Sequence, residues 1–233
     1  MKIVVFSDIH GNQDALQVFT DALRKTGYDQ AVFLGDIFGY YYRQKEVIES
    51  LRQIPGLLWL KGNHDQYAID LLAGREDAER LIRNYGHSYA ALSDKTDPAD
   101  MEFLNTLPSM AEREYDGVKF GFFHGTPADP LEGRLYPDNE ITDILPYQKY
   151  DYVVLGHTHC QMKRKAGDTT ILNPGSVGQP RDGRGHCFAT IDTKTGETEF
   201  VTIPVDRTGL YEQIDRFDPD LAKLKEVLER KPK

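Results

Sequence analysis

A chain of 233 residues, 39% of them hydrophobic, can bury a substantial core as one large domain, or one and a half by the usual size prior. Thirty-seven acidic against 28 basic residues give a formal charge of -9, which excludes an overall field drawing the chain to nucleic acid or anionic membrane. Two cysteines, Cys160 and Cys187, are too few for a disulfide framework, and no apolar run reaches bilayer-spanning length. With Met1 leading straight into a strand and no leader in front of it, a cytoplasmic protein without a membrane partner is expected.

The first apolar run, Ile3 to Phe6, reads as a strand ending at Ser7. Asn12 then opens a helix in which Leu16, Phe19 and Leu23 recur at helical spacing, stopping near Gly27. A strand over Gln30 to Leu34, a helix over Glu46 to Arg52, and a strand over Leu57 to Leu60 behind the Pro55-Gly56 break continue the alternation that marks an α/β layer. From Gln66 to Leu107 the composition is helical, with Leu71-Leu72, Leu81-Ile82 and Phe103-Leu104 as anchors and Asp97-Pro98 as a helix start. A cap-like insertion over about 66–107 and a plain helical cover for one sheet face both fit this stretch.

Beyond it the pattern turns to short strands. Met110 to Tyr115 and Lys119 to His124 flank the hairpin dipeptide Asp116-Gly117, and similar strands surround Gly167-Asp168 and Thr195-Gly196. A second, mixed sheet packed on the first is expected. The tail from Asp218 to Arg230 sets Leu221, Leu224 and Leu228 on one helical face, for docking on the body or on a partner subunit. No repeat or Gly/Ser-rich linker divides the chain, so residues 1–233 form a single domain with a C-terminal helix over about 218–230.

Polar clusters sit where these strands stop: Asp8-Ile9-His10, Gly35-Asp36, Gly62-Asn63-His64-Asp65, His124 after Gly121 to Phe123, and Gly156-His157-Thr158-His159 after Tyr152 to Leu155. Side chains at the ends of neighbouring strands converge on one rim. Most clusters alone are weak, since a single histidine is more often a hydrogen-bonded surface or core residue and a single aspartate a cap; Gly62-Asn63-His64-Asp65 is stronger, because an amide oxygen, an imidazole and a carboxylate stand together behind an apolar strand. Together they describe a site, from which His87 and His186 stand apart. Oxygen and imidazole donors without thiolate indicate a borderline transition metal: manganese first, with iron, nickel or zinc as alternatives. Seven candidate ligands exceed one coordination shell, so two divalent ions are expected, a recurrent device for phosphoryl hydrolysis.

In this order the clusters resemble the signature of the calcineurin-like metallophosphoesterase superfamily, over residues 1 to about 190. The stretches His124 to Leu131 and Asn173 to Arg181 are similar to its small bacterial and archaeal phosphodiesterase-like branch. The resemblance implies an α/β, four-layer αββα sandwich of two mixed sheets flanked by helices. It implies Asp8, His10, Asp36 and His159 on one metal and Asp36, Asn63, His124 and His157 on the other, with Asp36 bridging. A metal-bridging hydroxide would attack phosphorus while His64 acts as general acid on the leaving oxygen.

The sequence departs from the family's protein phosphatases, which resemble Gly-Asp-x-Val-Asp-Arg-Gly at the second element. Here Gly39 stands where the histidine-orienting Asp would be, and Tyr40-Tyr41-Tyr42-Arg43 follow instead of Arg-Gly. The three tyrosines form either a stacking surface for substrate or packing for the neighbouring helix. Tyr40 and Arg181 are the candidate substrate contacts. Cys160 is a redox-sensing thiol or, by the better prior, a small buried hydrophobe. The reading is a phosphodiesterase acting on a small-molecule or nucleotide ester, with a phosphomonoesterase or dinucleotide-polyphosphate hydrolase as the enzymatic rival. A metal-binding interaction scaffold, as in the retromer subunit that resembles this family, is the rival outside enzymes. The sequence does not specify an oligomeric state.

Overall fold

The computed structural model describes residues 1–90, 92 and 96–232. Of the 66–107 stretch, Ala91, Ser93, Asp94 and Lys95 therefore lie outside the described residues. Strands β1 (Lys2–Phe6), β2 (Gln30–Phe33) and β3 (Leu58–Trp59) run parallel, linked by helices α1 (Gln13–Thr26) and α2 (Gln44–Leu51). Helix α1 begins because the Asn12 side chain accepts from Ala15 N at 3.1 Å, and ends where Gly27 turns at φ 64°. Helix α3 (Asn63–Leu72) leaves β3, followed by α4 (Ala78–Tyr85), a 3-10 turn over His87–Tyr89 and α5 (Pro98–Thr106).

The hairpin β4 (Met110–Tyr115) and β5 (Val118–Phe123), then β6 (Tyr152–Leu155), β7 (Gln161–Ala166) and β8 (Thr169–Pro174), make the second sheet in the order β4-β5-β6-β8-β7. It is mixed, as expected: β5, β6 and β8 are parallel, with β4 and β7 antiparallel at the edges. The last hairpin, β9 (Cys187–Asp192) and β10 (Thr198–Thr202), does not join it. It returns to the first sheet, where β9 pairs antiparallel with β1, giving the order β10-β9-β1-β2-β3. The strand before the first polar cluster is thus paired with one from residues 187–192.

Strand alternation sorts the core. Ile3, Val5, Phe120, Phe122, Val154 and Leu172 fill the space between the sheets, whereas Val4 and Phe6 face the helices with Leu16 and Phe19. Each fully buried apolar side chain of this kind contributes about 1.5–3 kcal/mol. The outer face of the second sheet carries Val153, Leu155 and Ile171. Turns and loops of residues 125–151, through Leu135, Tyr147 and Tyr150, cover that face, so the fourth layer is irregular rather than helical.

The tail also differs in detail from the single helix over 218–230. An unanticipated helix α6 (Thr208–Phe217) precedes it and stops at Asp218, and only Lys223–Glu226 (α7) and a 3-10 turn over Val227–Glu229 follow. Asp218 is diverted because its carboxylate accepts from His87 N at 2.9 and 3.0 Å and from Tyr42 Oη at 2.7 Å. Leu210, Ile214, Leu224 and Leu228 dock around Tyr41 on the body. Among the described residues, no helix is long and apolar enough to cross a membrane.

Candidate metal centre

The polar clusters occupy the carboxyl ends of β1, β2, β3, β5 and β6, so parallel strands of both sheets deliver them to one rim. The backbone there is unusual. Asp8, His10, Asp36, His157 and His159 all have φ between 52° and 69°, a left-handed conformation costing non-glycine residues about 1–3 kcal/mol each. Cross-loop hydrogen bonds hold it: Asp8 N to Gly35 O at 3.0 Å, His10 N to Asp36 O at 3.0 Å and Gly178 N to Asp8 O at 3.0 Å. Asp65 fastens the second loop by accepting from Asp36 N, Ile37 N and Gly62 N at 2.7–2.9 Å. At Gly62 a Cβ would collide with the Asp36 carboxylate, which is why glycine opens the third cluster.

The site residues are buried, and their donor atoms form two groups with Asp36 in common. Asp8, His10, Asp36 and His159 make one, and Asp36, His124 and His157 the other, with the atoms of each group within 4.8 Å of one another. Asn63 joins the second, its Oδ1 lying 3.0 Å from His124 Nε2.

Backbone carbonyls fix the rings. His10 Nδ1 donates to Phe38 O at 2.5 Å, His124 Nδ1 to Leu34 O at 2.9 Å and His159 Nδ1 to Gln179 O at 2.7 Å. A carbonyl only accepts, so each neutral ring presents a lone pair on Nε2. Two such lone pairs, on His10 and His159, face each other at 3.0 Å. Both Asp8 oxygens and Asp36 Oδ2 are buried without a hydrogen-bond partner, the latter 3.6 Å from His10 Nε2 and 3.5 Å from His124 Nε2. Buried acceptors facing acceptors fit divalent cations and little else.

Protonation tendencies agree. Burial first, then His159, pulls His10 well below the usual imidazole value, and burial with the neighbouring His124 lowers His157 to about 2. Burial and the Arg181 charge lower His159. Burial would raise Asp8, but His159 and the other facing histidines carry it below the ordinary carboxylate range, whereas burial and the Asp8 and Asp65 charges push Asp36 well above it. The imidazoles of His10, His157 and His159 are thus held in the neutral form that metal ligation requires.

His64 sits one residue into α3, its backbone N–H donating to Asp36 Oδ1 at 2.9 Å. Its ring is 5.0 Å from those of His10 and Tyr40, 4.6 Å from Tyr85 and 5.5 Å from Tyr67, and Nδ1 is 2.8 Å from Tyr89 Oη. Of the three consecutive tyrosines only Tyr40 borders this site. Tyr41 is fully buried and donates to Leu224 O at 3.1 Å, and Tyr42 donates to Asp218. Arg181 stacks over Tyr40 at 5.4 Å and donates to Tyr40 Oη at 2.8 Å and Gln179 Oε1 at 2.9 Å, with no carboxylate partner among the described residues.

Sequence reasoning missed Tyr67, Tyr85 and Tyr89, and also Arg134, whose Nε lies 2.8 Å from His157 Nε2. It left Asp65 without a role, although a carboxylate at the third position of a helix behind glycine signals a cap. The two other histidines do stand apart: His186 donates from Nδ1 to Val177 O at 2.7 Å, and His87 pairs with Asp218. Cys187 is buried and Cys160 half-buried, and neither is in a disulfide.

A model of the calcineurin-like phosphoesterase superfamily domain matches residues 1–196. An uncharacterised protein of Methanocaldococcus jannaschii is 30% identical, with 91% of each chain covered. The phosphodiesterase YfcE of Escherichia coli is 24% identical, over 82% of this chain and 88% of its own. The crystal structure of a metallophosphoesterase from Sphaerobacter thermophilus superimposes with a TM-score of 0.78 at 23% identity, covering 97% of this chain and 98% of its own. With the cluster order, the two-sheet fold and the buried Asp/His centre already described, the chain belongs to the calcineurin-like phosphoesterase superfamily and is a phosphoester hydrolase.

Proposed function

We propose that the chain is a two-metal phosphodiesterase acting on small-molecule or nucleotide esters. Asp8, His10, Asp36 and His159 would hold one divalent transition-metal ion, and Asp36, Asn63, His124 and His157 a second, with manganese favoured by the nitrogen and oxygen donor set. The observation that carries this reading is the convergence of buried Asp and His donor atoms on two groups that share Asp36, with both Asp8 oxygens and Asp36 Oδ2 left without a hydrogen-bond partner. Bound there, the ions supply Lewis acidity, offsetting phosphoryl charge and lowering the pKa of water.

The chain's own residues do the rest. His64 stands beside Asn63 with Nδ1 engaged by Tyr89, which leaves Nε2 for the substrate. As the P–O bond to the leaving group breaks, its electron pair goes to the leaving oxygen, which takes the Nε2 proton of a His64 ring that has first gained a second proton from solvent, so the ring returns to its neutral form. Water supplies the new P–O bond and loses a proton to solvent. Arg181, a half-buried cation with no carboxylate partner among the described residues, would bind a non-bridging phosphoryl oxygen. Tyr40 and Tyr85, with ring centroids 5.6 Å apart, offer a wall for an aromatic part of the ester. The preference for diesters is supported by the name of the E. coli relative.

The test supplies manganese, nickel, zinc and magnesium in turn to stripped protein, with bis(4-nitrophenyl) phosphate and 4-nitrophenyl phosphate as substrates. Metal-dependent turnover that is faster on the diester is expected. Faster monoester hydrolysis would select the phosphomonoesterase, and full activity without metal would sink the two-metal reading.

A further inference from the structure

We propose that Tyr89, delivered by the helical stretch after β3, is the positioning residue of His64. This rests on the role given to His64 above. Tyr89 Oη lies 2.8 Å from His64 Nδ1 and 3.2 Å from the backbone oxygen of the same residue. Both side chains are buried, at 2% and 4% exposure, so water does not compete for the contact. Tyr40, Tyr67 and Tyr85 touch the imidazole only with their rings, and among the described residues no other side chain hydrogen-bonds it.

The partner has to come from this side. Gly39 lies against the Nδ1 edge with φ 89°, and a Cβ at that position would collide with Nδ1 itself. The loop after β2 therefore has no room for an orienting side chain there. Tyr89 is in turn fixed from behind. Its 3-10 turn begins at His87, whose backbone N–H and Nδ1 both bind Asp218, and Asp218 also accepts from Tyr42. The hydroxyl is thus held by a turn clamped between the second loop and the C-terminal segment.

A phenol suits a histidine that moves a proton, because it both donates and accepts, whereas a carboxylate only accepts. With a proton on Nε2 alone, Tyr89 donates to Nδ1 and keeps Nε2–H aimed away from it. With both nitrogens protonated, Nδ1–H donates to Tyr89, whose own proton turns to the His64 carbonyl. When Nε2 yields its proton to the leaving oxygen, the proton on Nδ1 stays where Tyr89 already accepts it. The ring keeps one orientation through the transfer.

Tyr89→Phe retains the packing and removes the hydroxyl. With manganese-loaded protein, kcat is measured on methyl phenyl phosphate and methyl 4-nitrophenyl phosphate, which differ only in how much the leaving oxygen needs a proton. The expected result is a kcat about 10- to 100-fold lower on the phenyl ester, the scale of one buried hydrogen bond, against about threefold or less on the nitrophenyl ester. KM and bound metal stay unchanged, and the substitution adds nothing in a His64→Ala background. In metal-free protein, 15N spectra of the His64 ring should move from a predominant Nε2–H tautomer to a mixture. Equal loss on both esters, additive loss in the double variant, or an unchanged tautomer ratio would overturn the proposal. If Tyr89→Phe is silent while His64→Ala is impaired, Tyr89 alone loses its role; if His64→Ala is silent too, the role of His64 falls with it.

Discussion

The loops that carry the proposed metal ligands and the helical stretch behind them both reach His64, by opposite means. In the loops, short side chains are aimed by a backbone in left-handed conformations and held by bonds between distant parts of the chain, such as Gly178 N to Asp8 O. In the helical stretch, Tyr67, Tyr85 and Tyr89 reach the same imidazole from ordinary helix and turn positions with long, stiff rings. The first construction tolerates almost no change and suits a fixed reaction. The second can vary ring by ring, which suits the choice of ester and the tuning of the proton donor.

Asp36→Asn tests the loops and should have the largest effect. Removing the carboxylate shared by both donor groups should take turnover to the level of metal-free protein and lower bound metal with it. Manganese at about 100 times its Kd should stabilise the wild type by about 2.7 kcal/mol for each site filled, and the variant should lose most of that gain in thermal unfolding. The metal-free variant should fold, because the substitution relieves a buried carboxylate raised by burial and by the Asp8 and Asp65 charges. Full metal content in Asp36→Asn would break the division between a metal-holding region and a ring-lined one.

Gly39→Ala tests the seam between the regions. The added methyl group meets His64 Nδ1, and φ 89° is strained for any residue with a Cβ. His64 should be pushed off Tyr89 while the ligands of both donor groups stay in place. Turnover should fall roughly 10- to 100-fold with metal content kept, part of the roughly 100- to 10,000-fold that a well-placed proton donor contributes. Loss of metal together with turnover would mean that the seam and the centre are one unit.

Much of the first region was legible because its proposed ligands are short-range neighbours of strand ends. Asp8 and His10, or His157 and His159, stand two apart behind apolar runs, and the runs became β1 and β6. The second region was not, because Tyr85 and Tyr89 have the spacing of any helix face, and only the 3-10 turn clamped by Asp218 brings Tyr89 to Nδ1. Tyr40, Tyr41 and Tyr42 divide for a similar reason. The positive φ of Tyr40 aims it at His10, while Tyr41 enters the core under α6 and α7. The return of β9 and β10 to the first sheet is a long-range pairing, and their hairpin dipeptide carries no mark of which sheet they will join.

The smallest expected effect comes from Tyr85→Ala, and its direction is the sharpest test of the comparison. The Tyr85 ring lies 4.6 Å from His64 and 5.6 Å from Tyr40 without a hydrogen bond to the imidazole, so its contribution should be contact area with the ester rather than proton transfer. Bis(4-nitrophenyl) phosphate and methyl 4-nitrophenyl phosphate share a leaving group and differ in the group that stays on phosphorus. The preference in kcat/KM for the bis-aryl ester should shrink roughly 2- to 10-fold in Tyr85→Ala, the scale of one aromatic contact. Tyr89→Phe should leave that preference alone and change only the dependence on the leaving group. Two tyrosines four residues apart would then act on separate coordinates of one reaction, Tyr85 on which ester is held and Tyr89 on how its leaving oxygen is protonated. If both variants move both ratios together, the rings form a single packed unit around His64, and the separation drawn between holding and proton transfer is lost.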